Sequence, residues 1–334
     1  MTARTLFIGG EIGSVTPDVV GQVTESTAGG TFDSTYSRQS LAVATGHYFD
    51  CPFEDDSYAA DSVGSGDTLF FHGTWNPGGT GNTAAVLLEV RDGSFPWVSF
   101  RKTTNAGEVG VYGNTNTGAS PTWTLLGSLF SHSGGRQDID IKVTLGSPHS
   151  VEFSIGNSLV ASGTFTQASF TSAIKVRCYA FQNISAFWSQ LWATQGISTV
   201  GGKVFTRAAS GAGTTNTGSG AHTDINETTV NDATNLIFSS AGQLATFAMA
   251  DATLPTGYVV EHLMVETRWK HDGSSPTQLK TKIRSGGANY DYGITHSGST
   301  SYTAAKARWS LDPATSARFT QSGINAFEAG AEAA

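Results

Sequence analysis

From Leu69 onward, short stretches rich in Val, Ile, Phe, Trp and Thr recur between Gly, Asn, Asp and Ser, and several alternate apolar with polar residues. In Asp138-Ile139-Asp140-Ile141-Lys142-Val143 the apolar side chains fall on odd numbers, and Val151-Glu152-Phe153-Ser154-Ile155 repeats the pattern. A period of two predicts strands with one wet face, and therefore antiparallel sheets. The runs Thr68–Trp75, Ala84–Arg91, Trp97–Lys102, Glu108–Tyr112, Thr122–Phe130, Asp138–Leu145, Ser150–Ile155, Ser158–Phe165, Ile174–Phe181 and Ala186–Ala193 are the predicted strands. Ile155-Gly156-Asn157-Ser158-Leu159 reads as a tight hairpin, because Gly-Asn supplies the positive φ angles such a turn needs. Each apolar sheet face must be covered by another, so these strands predict a two-sheet sandwich.

The pattern breaks at 208–221, a Gly/Ser/Thr/Ala/Asn run without a large side chain, which reads as a surface loop or linker. A boundary near Ser198 divides the chain into a sandwich over 1–197 and a smaller one over 198–334. In the second, strands are predicted at Asn235–Ser239, Leu244–Ala250, Val259–Lys270, Gln278–Arg284, Tyr290–Thr295, Ala304–Ser310 and Ala326–Glu332. Thr320 is a cap for one short helical turn through Asn325. The fold class is all-β: two tandem β-sandwiches.

Charge narrows the partners. Of 334 residues, 19 are Lys or Arg and 27 Asp or Glu, a net charge of −8, which argues against nucleic acid. The apolar run at Met1–Gly10 is too short for a signal-peptide core or a membrane span, so the protein is expected to be made and kept in the cytoplasm, without membrane insertion. Cys51 and Cys178 show no metal-ligand spacing; they read as two buried thiols or a long-range disulfide. In the second half, Arg268, Lys270, Lys280, Lys282, Arg284, Lys306 and Arg308 alternate with apolar residues on three predicted strands. Such a basic face is either an ordinary solvated surface or a docking face for an acidic neighbour.

Catalytic patterns are missing. The carboxylates of Glu89-Val90-Arg91-Asp92 and Asp138-Ile139-Asp140 read as solvated sheet faces, and no glycosidase pair is visible. The eight histidines are scattered, and Gly196–Val204 is a near miss to a phosphate loop, with Val204 where a hydroxyl is needed. Asp50, Asp55 and Asp56 are the candidate ligands should the acidic turn hold Ca²⁺; otherwise no cofactor is expected. Trp75, Asn76, Trp97, Tyr112 and Asn114 place rings beside amides, the combination that stacks on a sugar face and bonds its hydroxyls. Each tryptophan is either such a platform or core.

Asp224-Ile225-Asn226-Glu227, Ser239-Ser240-Ala241-Gly242-Gln243, Arg284-Ser285-Gly286-Gly287-Ala288-Asn289-Tyr290, Trp309-Ser310-Leu311-Asp312-Pro313-Ala314-Thr315 and Ile324-Asn325-Ala326-Phe327-Glu328-Ala329-Gly330 follow one another in order. They resemble a C-terminal module of virion proteins in tailed bacteriophages and gene transfer agents. Phe32–Arg38, Phe49–Phe53 and Phe187–Leu191 resemble the concanavalin A-like sandwich that such proteins carry upstream, without the acidic triad of its catalytic relatives. The resemblance implies a non-enzymatic fibre, spike or decoration subunit on a virion surface. Its implied partners are other virion proteins, further copies of itself (a trimer) and host surface polysaccharide. The alternative is a purely structural tail or capsid cement protein that binds no sugar.

Overall fold

The computed structural model describes all residues except 1–3, 10–11, 29, 55–62, 78–82, 117–119, 133, 167–172, 181–185 and 228–230. It divides between Val204 and Phe205. That is later than the expected boundary because Thr199 and Lys203 hydrogen-bond to Asp140 and Asp138 in the first unit.

Among the described residues the first unit consists of two eight-stranded sheets. One runs Ser158–Phe165, His149–Ile155, Gln137–Thr144, Thr68–Asn76, Ala186–Gln195, Ser40–Val43, Val23–Ser26, with Arg4–Gly9 also on Ala186–Gln195. The other runs Trp123–Leu125, Glu108–Asn114, Phe95–Lys102, Ala85–Asp92, Ile174–Tyr179, Tyr48–Pro52, Thr16–Pro17, with Phe130–Ser131 also on Glu108–Asn114. All pairings are antiparallel. The alternation does what it predicts: Leu69, Phe71 and Trp75 point inward with Ile139, Ile141 and Val143 opposite or beside them. Between the sheets, Trp75 meets Phe100 edge-on at 5.5 Å and Phe100 meets Phe153 at 4.6 Å. Each such ring contributes about 1.5–3 kcal/mol through burial. Gly156 and Asn157 take φ of 54° and 70°, as the hairpin requires. The expected strand Thr122–Phe130 is two pieces instead, because the chain turns at Gly127, φ 77°. Cys51 and Cys178 are free, buried neighbours on adjacent strands; burial first, then Cys51 beside it, pushes the Cys178 thiol up.

The second unit has a six-stranded sheet, Ala209–Asn216, Leu244–Met249, Glu328–Ala333, Gln278–Ser285, Ala288–Asp291, with His296–Ser297 also on Gln278–Ser285. Leu263–Trp269 and Thr303–Trp309 form a separate pair. Ile283, Trp309, Phe319, Phe327 and Ala329 make one core cluster, and Trp269, Leu279, Ala305 and Ala331 another. The helical turn Gln321–Ala326 is capped as expected, Thr320 Oγ1 accepting from Gly323 N at 3.0 Å. Three expectations are corrected. The glycine-rich run is an edge strand, because its lack of side chains lets it lie against Leu244–Met249, with Gly213 close over the Thr246 carbonyl. Asn235–Ser239 makes only a bridge from Ile237 to Ser219, and Val259–Val260 precede a strand that starts at Leu263.

Candidate functional site

Trp75 and Trp97 are not sugar platforms: they are 0% and 1% exposed. Trp75 shares parity with Leu69 and Phe71. Trp97 sits in a bulge opposite Val90 and Arg91, and its ring turns onto His149 at 5.5 Å. Asn114 is buried too, donating to the Pro96 carbonyl and accepting from Asn116 N and Thr122 N, so it organises a turn. Asn76, the last residue of a central strand of the first sheet, donates to the Gly30 carbonyl. Of the proposed set only Tyr112 offers a half-exposed ring.

Tyr112 belongs to a strip that crosses the outward face of the second sheet. In register across neighbouring strands lie Leu125, Tyr112, Ser99, Glu89, Arg177 and Asp50. Beside them stand Trp123, Arg101, Arg91, Lys175, Tyr179 and Tyr48. Six strands at roughly 4.8 Å spacing make the strip about 24 Å across. Tyr48, Tyr179, Tyr112 and Trp123 are all half-exposed. Every ring is held. The Arg177 guanidinium lies 3.7 Å over Tyr48, Tyr48 and Tyr179 are 5.5 Å apart, and the Tyr179 hydroxyl donates to Glu89 Oε2 at 2.7 Å. Burial, and Glu89 beside it, push the Tyr179 phenol well above its ordinary value, so it stays a donor. Arg91 also donates to Glu89. Arg101 stacks over Trp123 at 4.1 Å and bonds Ser99 Oγ through Nε at 2.8 Å. Such side chains are pre-ordered, which lowers the entropy cost of binding.

Asp50 closes one end. Arg177 Nε and Nη2 donate to Oδ1 and Oδ2 at 2.7 and 3.0 Å, and Lys175 Nζ lies 2.8 Å from Oδ2. Both oxygens are occupied by cations, so Asp50 is not poised for Ca²⁺; Asp55 and Asp56 lie outside the described residues. Among the described residues no group of three His, Cys, Asp or Glu side chains is placed to hold a metal. Burial pushes the Asp50 carboxyl up, but the bonds and charges of Arg177 and Lys175 outweigh it and hold the pKa below the ordinary 3.8. A depressed carboxylate stabilises the fold above its unfolded value, and that stability is lost as pH falls through the folded one. Asp50→Asn is therefore expected to cost about 2 kcal/mol at neutral pH. It should also flatten the loss of stability below pH 3.8, read by urea unfolding across pH; an unchanged acid limb contradicts the assignment.

The expectation of solvated carboxylates is also corrected, because Glu89 and Asp140 are 4% and 2% exposed. Asp140 lies on the outward face of the first sheet beneath the 196–204 segment. His72 Nδ1 is 3.0 Å from Asp140 Oδ1, and Thr199 Oγ1 donates to the same oxygen at 2.9 Å. Thr74 and Lys203 donate to Asp138, and Gly202 passes so close over Trp192 that a Cβ would lie 2.5 Å from its ring. The phosphate-loop lookalike is thus a strap clamped on a buried polar cluster. Alternation placed His72 on the polar parity of its strand, a signal that marks it as facing Asp140 once the two strands are known to pair.

The seven cations of the second unit do not form one face. Lys280, Lys282 and Arg284 stand on the six-stranded sheet, Arg268, Lys306 and Arg308 on the separate pair, and Lys270 beyond its end. Several are neutralised within the chain: Lys282 by Asp291 and Glu332 at 3.1 and 2.7 Å, Arg268 by Asp232 at 2.9 Å. Lys280 and Arg284 face Glu332 and Glu328 across the ladder, and Arg308 is 4% exposed. The alternation was real, but acidic residues on neighbouring strands balance it.

The chain is an all-β protein of two units, the first a sandwich of two antiparallel sheets. No protein-family model matches it, and no curated protein matches its sequence. Among solved structures it is similar to the endo-β-1,4-glucuronan lyase of the fungus Trichoderma reesei, at 9% identity and TM-score 0.40, over 57% of this chain and 94% of that one. Domain 4 of the extracellular arabinanase of Geobacillus stearothermophilus, solved with arabinotriose, is 11% identical with TM-score 0.38, over 59% of this chain and 94% of that one. The globular domain of T. cruzi calreticulin is 10% identical with TM-score 0.38, over 57% of this chain and 87% of that one. These are likenesses of fold and of nothing finer.

Proposed function

We propose that the first unit binds saccharide along the strip from Trp123 to Asp50, and that the chain is a non-enzymatic surface subunit of a phage or phage-like virion. One observation carries the binding: four half-exposed rings, Tyr48, Tyr179, Tyr112 and Trp123, share one sheet face with fixed hydrogen-bonding groups. Aromatic faces take the C–H side of a sugar, and the polar groups between them take its hydroxyls. The binding role is favoured over hydrolysis because Asp50 and Glu89 are both consumed by bonds to cations and, for Glu89, the Tyr179 hydroxyl.

The virion role rests on the resemblance of residues 222–334 to phage C-terminal modules, and a trimer is the assembly it implies. Weak single sites repeated on a trimer or a particle gain avidity. The test is a glycan array probed with the full chain, followed by titration of the best ligand. Trp123→Ala should weaken binding about tenfold, the equivalent of 1.4 kcal/mol, with an unchanged melting temperature. Uniform blanks on the array would instead favour the cement reading, in which the sandwiches bind only neighbouring virion proteins.

A further inference from the structure

We infer that the saccharide bound by this strip carries a carboxylate, and that the Arg101 guanidinium receives it; the inference rests on the saccharide reading above. Arg101 stands apart from the other cations of its face. Arg91 pairs with Glu89, and Lys175 and Arg177 pair with Asp50. Among the described residues Arg101 makes no ion pair, and its one hydrogen bond runs from Nε to Ser99 Oγ. Among the described residues, neither terminal nitrogen has a protein acceptor.

The group is also fixed in place. Trp123 lies 4.1 Å beneath its plane, Tyr112 flanks it at 5.8 Å, and Ser99, itself fully buried, pins Nε. Glu89 acts on this half-buried guanidinium only through space, so its fork remains for two coplanar oxygens, which match it bidentately. A single fork, with no second unpaired cation beside it among the described residues, suits a planar carboxylate and leaves the third oxygen of a sulfate unanswered. Along the strip Arg91, Arg101, Lys175 and Arg177 stand among Asp50 and Glu89, with Asp18 beside Tyr48 at one end. Glu108, on the same parity at the end of its strand, is turned to Thr103 and Asn105.

The experiment titrates the full chain with uronate-containing oligosaccharides, with neutral oligosaccharides of the same backbone, and with sulfated ones. The wild type is expected to bind the uronate form about tenfold or more tightly than the neutral form, less so at high salt. Arg101→Gln should erase that preference, leaving the uronate and neutral forms with equal affinity, and Arg101→Lys, with charge but no fork, should restore only part of it. Trp123→Ala should weaken the neutral form as well as the uronate form, unlike Arg101→Gln, whose effect falls on the uronate form. Equal wild-type affinity for the two forms, preference for the sulfated form, or an acid preference that survives Arg101→Gln each overturns the inference and leaves the saccharide site standing. Absence of binding to any of the three overturns both.

Discussion

Trp75→Ala is expected to cost the first unit about 3–5 kcal/mol, the range for emptying a large buried ring site. Trp75 has no exposed surface, touches Phe100 edge-on at 5.5 Å, and lies 5.3 Å from His132 and 6.3 Å from Trp188. Its removal opens a cavity between the sheets that neighbours locked in two ladders can only partly fill. Trp75→Phe should cost far less, since it keeps most of the packing and removes an indole N–H that has no acceptor. Calorimetry or chemical unfolding of the full chain, with the transitions of the two units separated, reads the difference. A Trp75→Ala variant that melts normally but no longer holds sugar would mean that the ring is a platform after all.

The second large effect belongs to Gly330, in the strand Glu328–Ala333 at the middle of the six-stranded sheet. A Cβ there would lie 1.8 Å from the Ala245 carbonyl oxygen and 2.8 Å from Thr246 Cα, both backbone atoms of the neighbouring strand. The strand is hydrogen-bonded on its other side to Gln278–Ser285, so it cannot retreat without breaking that ladder. Gly330→Ala should therefore destabilise the second unit by about 3 kcal/mol, at the upper end for overpacking. Gly211→Ala is the control, because its Cβ would meet only Ala248 Cβ at 3.8 Å; that change should be neutral or slightly stabilising. Equal melting of the two variants would show that the sheet yields at Gly330.

Legibility in the sequence followed side-chain content. Gln137–Thr144 and His149–Ile155 were readable because their faces differ in polarity, and the turn at Gly156-Asn157 because few dipeptides favour two positive φ angles. Ser40-Leu41-Ala42-Val43 and Val23-Thr24-Glu25-Ser26 are too short to show a period, and Ala209–Asn216 has almost no side chains to alternate. Trp75 and Trp97 stand beside Asn and Pro, neighbours that suit a binding loop as well as a strand end. Parity with Leu69 and Phe71 already marked Trp75 as core, whereas the bulge that turns Trp97 inward has no signature along the chain.

Alternation and turn chemistry by themselves determined that this chain is all-β and which side of most strands is dry. They do so because each is a local property, written within a few residues. Which strands become neighbours was decided only in three dimensions, since hydrogen-bonded ladders join residues far apart in the chain. Tyr48, Glu89, Arg101, Tyr112, Trp123 and Tyr179 come from six strands, and nothing within any one of them announces the others. The same holds for charge: Lys282 looked free until folding brought Asp291 and Glu332 beside it, while Arg101 received no such partner.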